Sequence, residues 1–111
     1  MLCLGLMSGT SADGVDAVLA DFRGGAERPR WRLIRHQHCP YPEDLQHQLV
    51  TAGQGTPLTA GAWLELAEAV TEAQAAAAWA CDPDSRAELV GCHGQTLWHR
   101  PPARSETGAL R

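Results

Sequence analysis

The chain has 111 residues, of which 44% are hydrophobic and 20% charged, and its net charge is -4 at neutral pH. A chain of this length forms one small domain or part of one and buries about two-thirds of its unfolded surface. The acidic balance argues against a nucleic-acid surface, despite the local cluster Arg28, Arg30, Arg32 and Arg35, and no apolar run approaches the ~20 residues of a membrane span.

Leu2 to Met7 is a short apolar run that reads as a buried strand, and Val15 to Phe22 reads as another. Between them lies Ser8-Gly9-Thr10-Ser11-Ala12-Asp13-Gly14-Val15-Asp16, a polar turn in which Gly9 and Gly14 are expected to take backbone angles closed to other residues. The tip offers hydroxyls, backbone N–H groups and two carboxylates but no basic side chain. An anion here would be held by dipoles and a cation by the acids, which suits a nucleotide triphosphate with Mg²⁺. Small polar residues are also what any solvated turn contains, so composition alone leaves a plain surface turn open.

Gly24 and Gly25 sit in a charged turn that ends the second strand, and Trp31 to Cys39 reads as a third, in which Ile34 and Arg35 break strict alternation. Three antiparallel strands in a row make a meander. His36 and His38 share a face of the third strand, as a metal pair or as a solvated strand edge. Pro40 and Pro42 close the strand, and a short helix begins with Glu43 and Asp44 in its first turn and Leu45, Leu49 and Val50 on its apolar side.

A longer helix runs from about Thr59 or Ala60 to Ala80. Trp63, Leu66, Ala67, Val70, Ala73 and Ala77 form its expected packing face, with Trp63 and Trp79 in the core and Glu65, Glu68 and Glu72 in water. Asp82 to Ser85 stops it. Glu88 to His93 reads as a buried strand that leads into Gly94-Gln95-Thr96, where neutral hydrogen-bonding groups with Trp98 nearby suit a sugar, although His93 alone could be an ordinary core histidine. Pro101 to Ala109 reads as a flexible polar tail. There is neither a G-x-x-x-x-G-K-[ST] loop nor a G-x-G-x-x-G string.

Gly5-Leu6-Met7-Ser8-Gly9-Thr10-Ser11 resembles the first phosphate-binding hairpin of the sugar kinase, hsp70 and actin superfamily, and the fuller string Met7 to Asp16 looks like the opening signature of the anhydro-N-acetylmuramic acid kinases. His93-Gly94-Gln95-Thr96-Leu97-Trp98-His99-Arg100-Pro101 is also similar to that family's pattern, so the resemblance spans residues 1 to 101. The superfamily hairpin usually carries an aspartate where this chain has Met7; the narrower family is similar to this chain in lacking it. That leaves the cation to Asp13 or Asp16.

What the resemblance implies is an α/β, ribonuclease-H-like (actin-like ATPase) domain, of which residues 1–111 are the N-terminal portion: a three-stranded antiparallel meander, two helices and a strand that joins the sheet. The second domain of such a two-domain kinase is expected to be absent from these residues. The implied reaction uses ATP and Mg²⁺ to convert 1,6-anhydro-N-acetylmuramic acid and water to N-acetylmuramic acid 6-phosphate in cell-wall recycling. Gly9, Thr10, Ser11, Ala12, Asp13, Gly14, Val15 and Asp16 would hold the ATP phosphates, Asp13 and Asp16 the Mg²⁺ directly or through water, and His93, Gly94, Gln95 and Thr96 the anhydro amino sugar. The catalytic base and adenosine site are expected beyond Arg111, so the isolated chain is expected to be inactive, and a homodimer stays open for the full-length enzyme. No nucleic acid or membrane partner is expected. Two rivals stay open: a non-catalytic interaction module and a different sugar kinase of the same superfamily.

The apolar start lacks a basic leader and is too short for a secretion signal, which points to the cytoplasm. Cys3, Cys39, Cys81 and Cys92 form no C-x-x-C pair, and three of them lie in or beside apolar strand runs, so reduced packing thiols are expected.

Overall fold

The computed structural model of the chain describes residues 1–100; the polar tail read from Pro101 onward lies outside them. Strands β1 (Leu2–Ser8), β2 (Gly14–Arg23) and β3 (Arg30–Pro40) are followed by helices α1 (Glu43–Gly53) and α2 (Ala60–Cys81) and by strand β4 (Leu89–Gln95). The sheet order is β3-β2-β1-β4. The first three strands are antiparallel neighbours, and β4 lies parallel to β1 on its other side. This is the mixed sheet expected of the N-terminal part of an actin-like ATPase domain.

Alternation sets the buried face. Leu4, Leu6 and Ser8 of β1 and Val15, Ala17 and Leu19 of β2 point the same way, and the register joins them as Leu4 opposite Leu19 and Leu6 opposite Ala17. Both helices cover that face, α1 through Leu45, Leu49 and Ala52 and α2 through Leu66, Ala77 and Cys81. In β3 the broken alternation is a β-bulge: Arg35 pairs with Leu19 and Leu33 with Ala20, so Ile34 has no partner on β2 and turns toward the core. Arg35 uses the bend to reach the end of α2, where its Nη1 donates to the Cys81 carbonyl at 3.4 Å.

Helix α2 starts at Thr59, whose hydroxyl accepts the Ala62 N–H at 3.1 Å. It stops at Asp82, whose carboxylate accepts the N–H groups of Arg86 and Ala87, each at 2.9 Å. Those two donors hold the Asp82 carboxyl below the usual carboxylate range, Ala87 contributing most.

Two expectations about burial are corrected. Trp63 and Trp79 are 41% and 62% exposed, because the stripe that meets the sheet runs through Leu66, Val70, Ala73, Ala77 and Cys81 and leaves both indoles off it. The residues of β4 from Leu89 to His93 are exposed rather than buried, since among the described residues this strand pairs only with β1 and lies at the sheet edge. On the face away from the helices, Cys3, Gly5, Val18, Phe22, Trp31 and Leu89 line an open apolar trough. Among the described residues no helix is long and apolar enough to cross a membrane.

All four cysteines are free, with Cys81 buried, Cys3 and Cys39 half-buried and Cys92 exposed. Burial is the main cause that pushes the Cys81 thiol above its ordinary value, which lowers its thiolate fraction as well as its access. Alkylation of the native chain is therefore expected to label Cys92 first and Cys81 only on unfolding, and mass spectrometry of the unfolded, unreduced chain should find all four labelled. A native disulfide in most molecules would overturn this.

Candidate functional site

The turn between β1 and β2 is closed by the Ala12 N–H, which donates to the Gly9 carbonyl at 3.1 Å. The residue in left-handed conformation is Ala12, at φ 51°, and not Gly9 or Gly14 as expected. Gly14 is required for a different reason: a Cβ there would run into the Cys39 carbonyl oxygen and sit 2.7 Å from Pro40 Cα, at the end of the ladder where Gly14 pairs with Pro40. A Cβ on Gly9 would meet nothing within 4 Å, so this side of the turn is open. Thr10 and Ser11 are exposed at the tip, and their N–H groups donate to no acceptor among the described residues. Exposed amides without an acceptor, beside an open glycine, leave backbone donors to which an anion could bind.

Asp13 faces the same turn. Ser11 Oγ donates to its Oδ2 at 3.0 Å, and Gln46 Nε2, on α1, lies 3.3 Å from its Oδ1 and 3.4 Å from the Ser11 carbonyl. The Tyr41 N–H donates to the Asp13 carbonyl at 3.0 Å. Neutral donors thus orient this carboxylate without cancelling its charge.

Asp16 has other company. Its Oδ1 lies 3.0 Å from His38 Nδ1 and 3.3 Å from His36 Nε2, because the register sets His38 opposite Asp16 and His36 two residues along β3. The hydrogen bond from His38 is the chief cause that holds the Asp16 carboxyl below its ordinary value; desolvation opposes it and His36 adds to it. The two histidines thus flank a carboxylate. Among the described residues no three His, Cys, Asp or Glu side chains are arranged to hold a metal ion.

The second string meets the first at the end of β1. Between Leu6, paired with Cys92, and Ser8, paired with Gln95, β4 carries one residue more than β1, and Gly94 absorbs this irregularity at φ 80°. Gln95 is thereby aimed at the hairpin. Ser8 Oγ, 2% exposed as a residue, donates to Gln95 Oε1 at 2.6 Å, while Gln95 Nε2 donates to the Gly9 carbonyl at 2.8 Å and to the Thr96 carbonyl at 2.9 Å. Beyond it, the Leu97 carbonyl lies so close to Gly53 of α1 that a Cβ there would approach it to 2.8 Å, while Trp98 is 69% exposed. His93 is exposed on β4 and is not the core histidine that the strand end allowed.

Of the residues singled out in the sequence, the structure joins Gly9 to Gln95 and Thr96 through this amide, sets Asp13 on the tip and puts Asp16 on the β2–β3 ladder. Sequence reasoning missed Gln46, whose only signal was its place beside Leu45 at the start of α1. It also left Ser8 as one of several hydroxyls, although Ser8 is the last inward position of β1.

A mixed sheet whose first hairpin ends in exposed amides and an aspartate, tied to a polar loop on the neighbouring parallel strand, is the arrangement expected of the N-terminal part of an actin-like ATPase domain. The family model described as "Anhydro-N-acetylmuramic acid kinase" matches residues 1–110, and the chain belongs to that family. It is 70% identical over 109 residues to the anhydro-N-acetylmuramic acid kinase of Synechococcus sp. (strain CC9605), covering 98% of this chain and 29% of the relative. For the kinases of the same name from Parasynechococcus marenigrum (strain WH8102) and Prochlorococcus marinus (strain MIT 9303) the identities are 65% and 59%, with the same coverage. The chain therefore spans 29% of the length of these curated relatives.

Proposed function

We propose that these residues are the N-terminal portion of the first actin-like ATPase domain of a cytoplasmic, two-domain kinase. This kinase phosphorylates 1,6-anhydro-N-acetylmuramic acid with ATP, adding water to give N-acetylmuramic acid 6-phosphate for cell-wall recycling. The observation that carries the reading is the Gln95 amide, which brings the two strings of the resemblance to one end of the sheet. The free Thr10 and Ser11 amides and the open side of Gly9 fit phosphate oxygens, and the Asp13 and Asp16 carboxylates fit a hydrated Mg²⁺. Bound Mg²⁺ supplies neutralisation of the phosphate charge.

The chain's own part is positional. The segment Gly9 to Asp16 cradles the phosphates, with Ala12, Gly14 and Val15 shaping the turn. The loop His93, Gly94, Gln95 and Thr96 walls the sugar, so the O6 that accepts the γ-phosphoryl group is kept near the hairpin. Phosphoryl transfer is governed mainly by such positioning and by charge stabilisation. The aspartate that activates water and the adenosine pocket belong to the remaining length of the relatives.

The test is an ADP-release assay with the anhydro sugar, run on the isolated 111 residues and on a full-length kinase that carries them as its N-terminus. The isolated chain is expected to give background only, and the full-length protein a product phosphorylated at O6. Turnover by the isolated chain overturns the fragment reading, whereas a full-length protein active only on another sugar points to a different kinase of the superfamily.

A further inference from the structure

We propose that Gln95 is a positioning residue that couples the phosphate hairpin to the sugar loop, and not a ligand of the sugar. The inference rests on the reading above for the identity of the two ligands. A primary amide has two N–H donors and one carbonyl oxygen with two acceptor sites. Both donors of Gln95 are committed, to Gly9 and Thr96, and Ser8 Oγ fills one of the two acceptor sites. One lone pair remains, which is little for a polyhydroxylated ligand.

The amide cannot be turned round to free its donors. Rotated by half a turn, Oε1 would face the carbonyl oxygens of Gly9 and Thr96, two acceptors against an acceptor, so the surroundings fix the orientation. The backbone is shaped for this bond as well. The extra residue in β4 and the left-handed Gly94 directly before Gln95 turn its side chain toward the buried Ser8, as bulges commonly re-aim a side chain.

The two carbonyls held by Nε2 belong to different ligand surfaces. The Gly9 carbonyl also accepts the Ala12 N–H and so closes the phosphate turn, while the Thr96 carbonyl lies on the sugar loop. One planar group therefore sets the spacing between the donor phosphate and the acceptor sugar. Loss of a sugar ligand would disturb sugar binding alone; loss of this tie disturbs both sites together.

The experiment compares Gln95→Leu, Ser8→Ala and the double variant in a full-length kinase carrying residues 1–111, with Gln95→Glu and Ser8→Thr as conservative partners. Gln95→Leu is expected to raise KM for ATP and for the anhydro sugar together, each roughly tenfold, the scale of a partly buried hydrogen bond whose partners are left unpaired. Adding Ser8→Ala should change little further, because both act through one bond. Ser8→Thr keeps the hydroxyl and should behave as wild type, while Gln95→Glu keeps the shape but loses the donors and should resemble Gln95→Leu. A rise confined to one ligand, no rise at all, or fully additive effects overturns the proposal.

Amide hydrogen exchange on the 111-residue chain, with no ligand present, gives a second readout that survives failure of the functional reading. Gln95→Leu should speed exchange at Ala12, and unchanged protection there overturns the coupling whatever the kinase proves to phosphorylate.

Discussion

Replacing Asp13 or Asp16 by asparagine in a full-length kinase built on this N-terminus is expected to cost at least one of the two variants ~10²-fold or more in turnover, the scale of removing a charge that stabilises a transferring phosphoryl group. Asparagine keeps the size and one acceptor oxygen. In Asp13→Asn that oxygen can still take a hydrogen bond from Ser11 or Gln46, so the turn persists and only the charge goes. In Asp16→Asn the retained oxygen can still sit between His36 and His38, and only the charge of an exposed cluster that carries none of the core is lost. Folding should survive both changes. Turnover measured across a Mg²⁺ titration decides the matter: near-normal values with unchanged Mg²⁺ dependence in both variants would reduce the hairpin to a turn.

Gly14→Val should produce the largest loss of stability in the chain. The atoms a Cβ would strike are the Cys39 carbonyl oxygen and Pro40 Cα, both backbone, so no rotamer change relieves the overlap and β3 has to move away from β2. That movement strains the Tyr41 N–H bond to Asp13 as well. Overpacking of this kind costs about 3 kcal/mol, which for a chain of this size lowers Tm by roughly 10–20 °C. Gly9→Ala, with open space around its Cβ, should stay within about 1 kcal/mol of wild type. Thermal unfolding followed by circular dichroism compares the two, and equal Tm values would remove the packing argument for Gly14.

Local signals in the sequence were faithful where the structure is local. The start of α2 at Thr59 or Ala60, the stop at Asp82 and the interrupted alternation at Ile34 and Arg35 each follow from residues within one turn or one pleat of each other. Position within the sheet was not legible in the same way. The apolar residues of β4 read equally well for a central or an edge strand, and α2 is so rich in alanine and other apolar residues that its periodicity does not single out the Leu66 to Cys81 stripe over one containing Trp63. At the turn, preference for glycine in left-handed backbone pointed to Gly9 and Gly14, while the chain uses Ala12 there and needs Gly14 for clearance. Gln46 and the Ser8 contact to Gln95 are meetings of residues far apart in sequence, which no local pattern encodes.

The parallel pairing of β1 with β4 also sets a timetable for the nascent protein. The first hairpin joins Met7 to Asp16, 9 residues apart (16 − 7), whereas the bond from Ser8 to Gln95 spans 87. On loop-closure entropy alone the longer connection costs about 2 kcal/mol more. At roughly 5–20 residues per second of synthesis, Gln95 leaves the ribosome about 4–17 s after Ser8. The hairpin turn therefore spends seconds without its amide tie, and the join between the two loops forms only once β4 has docked beside β1.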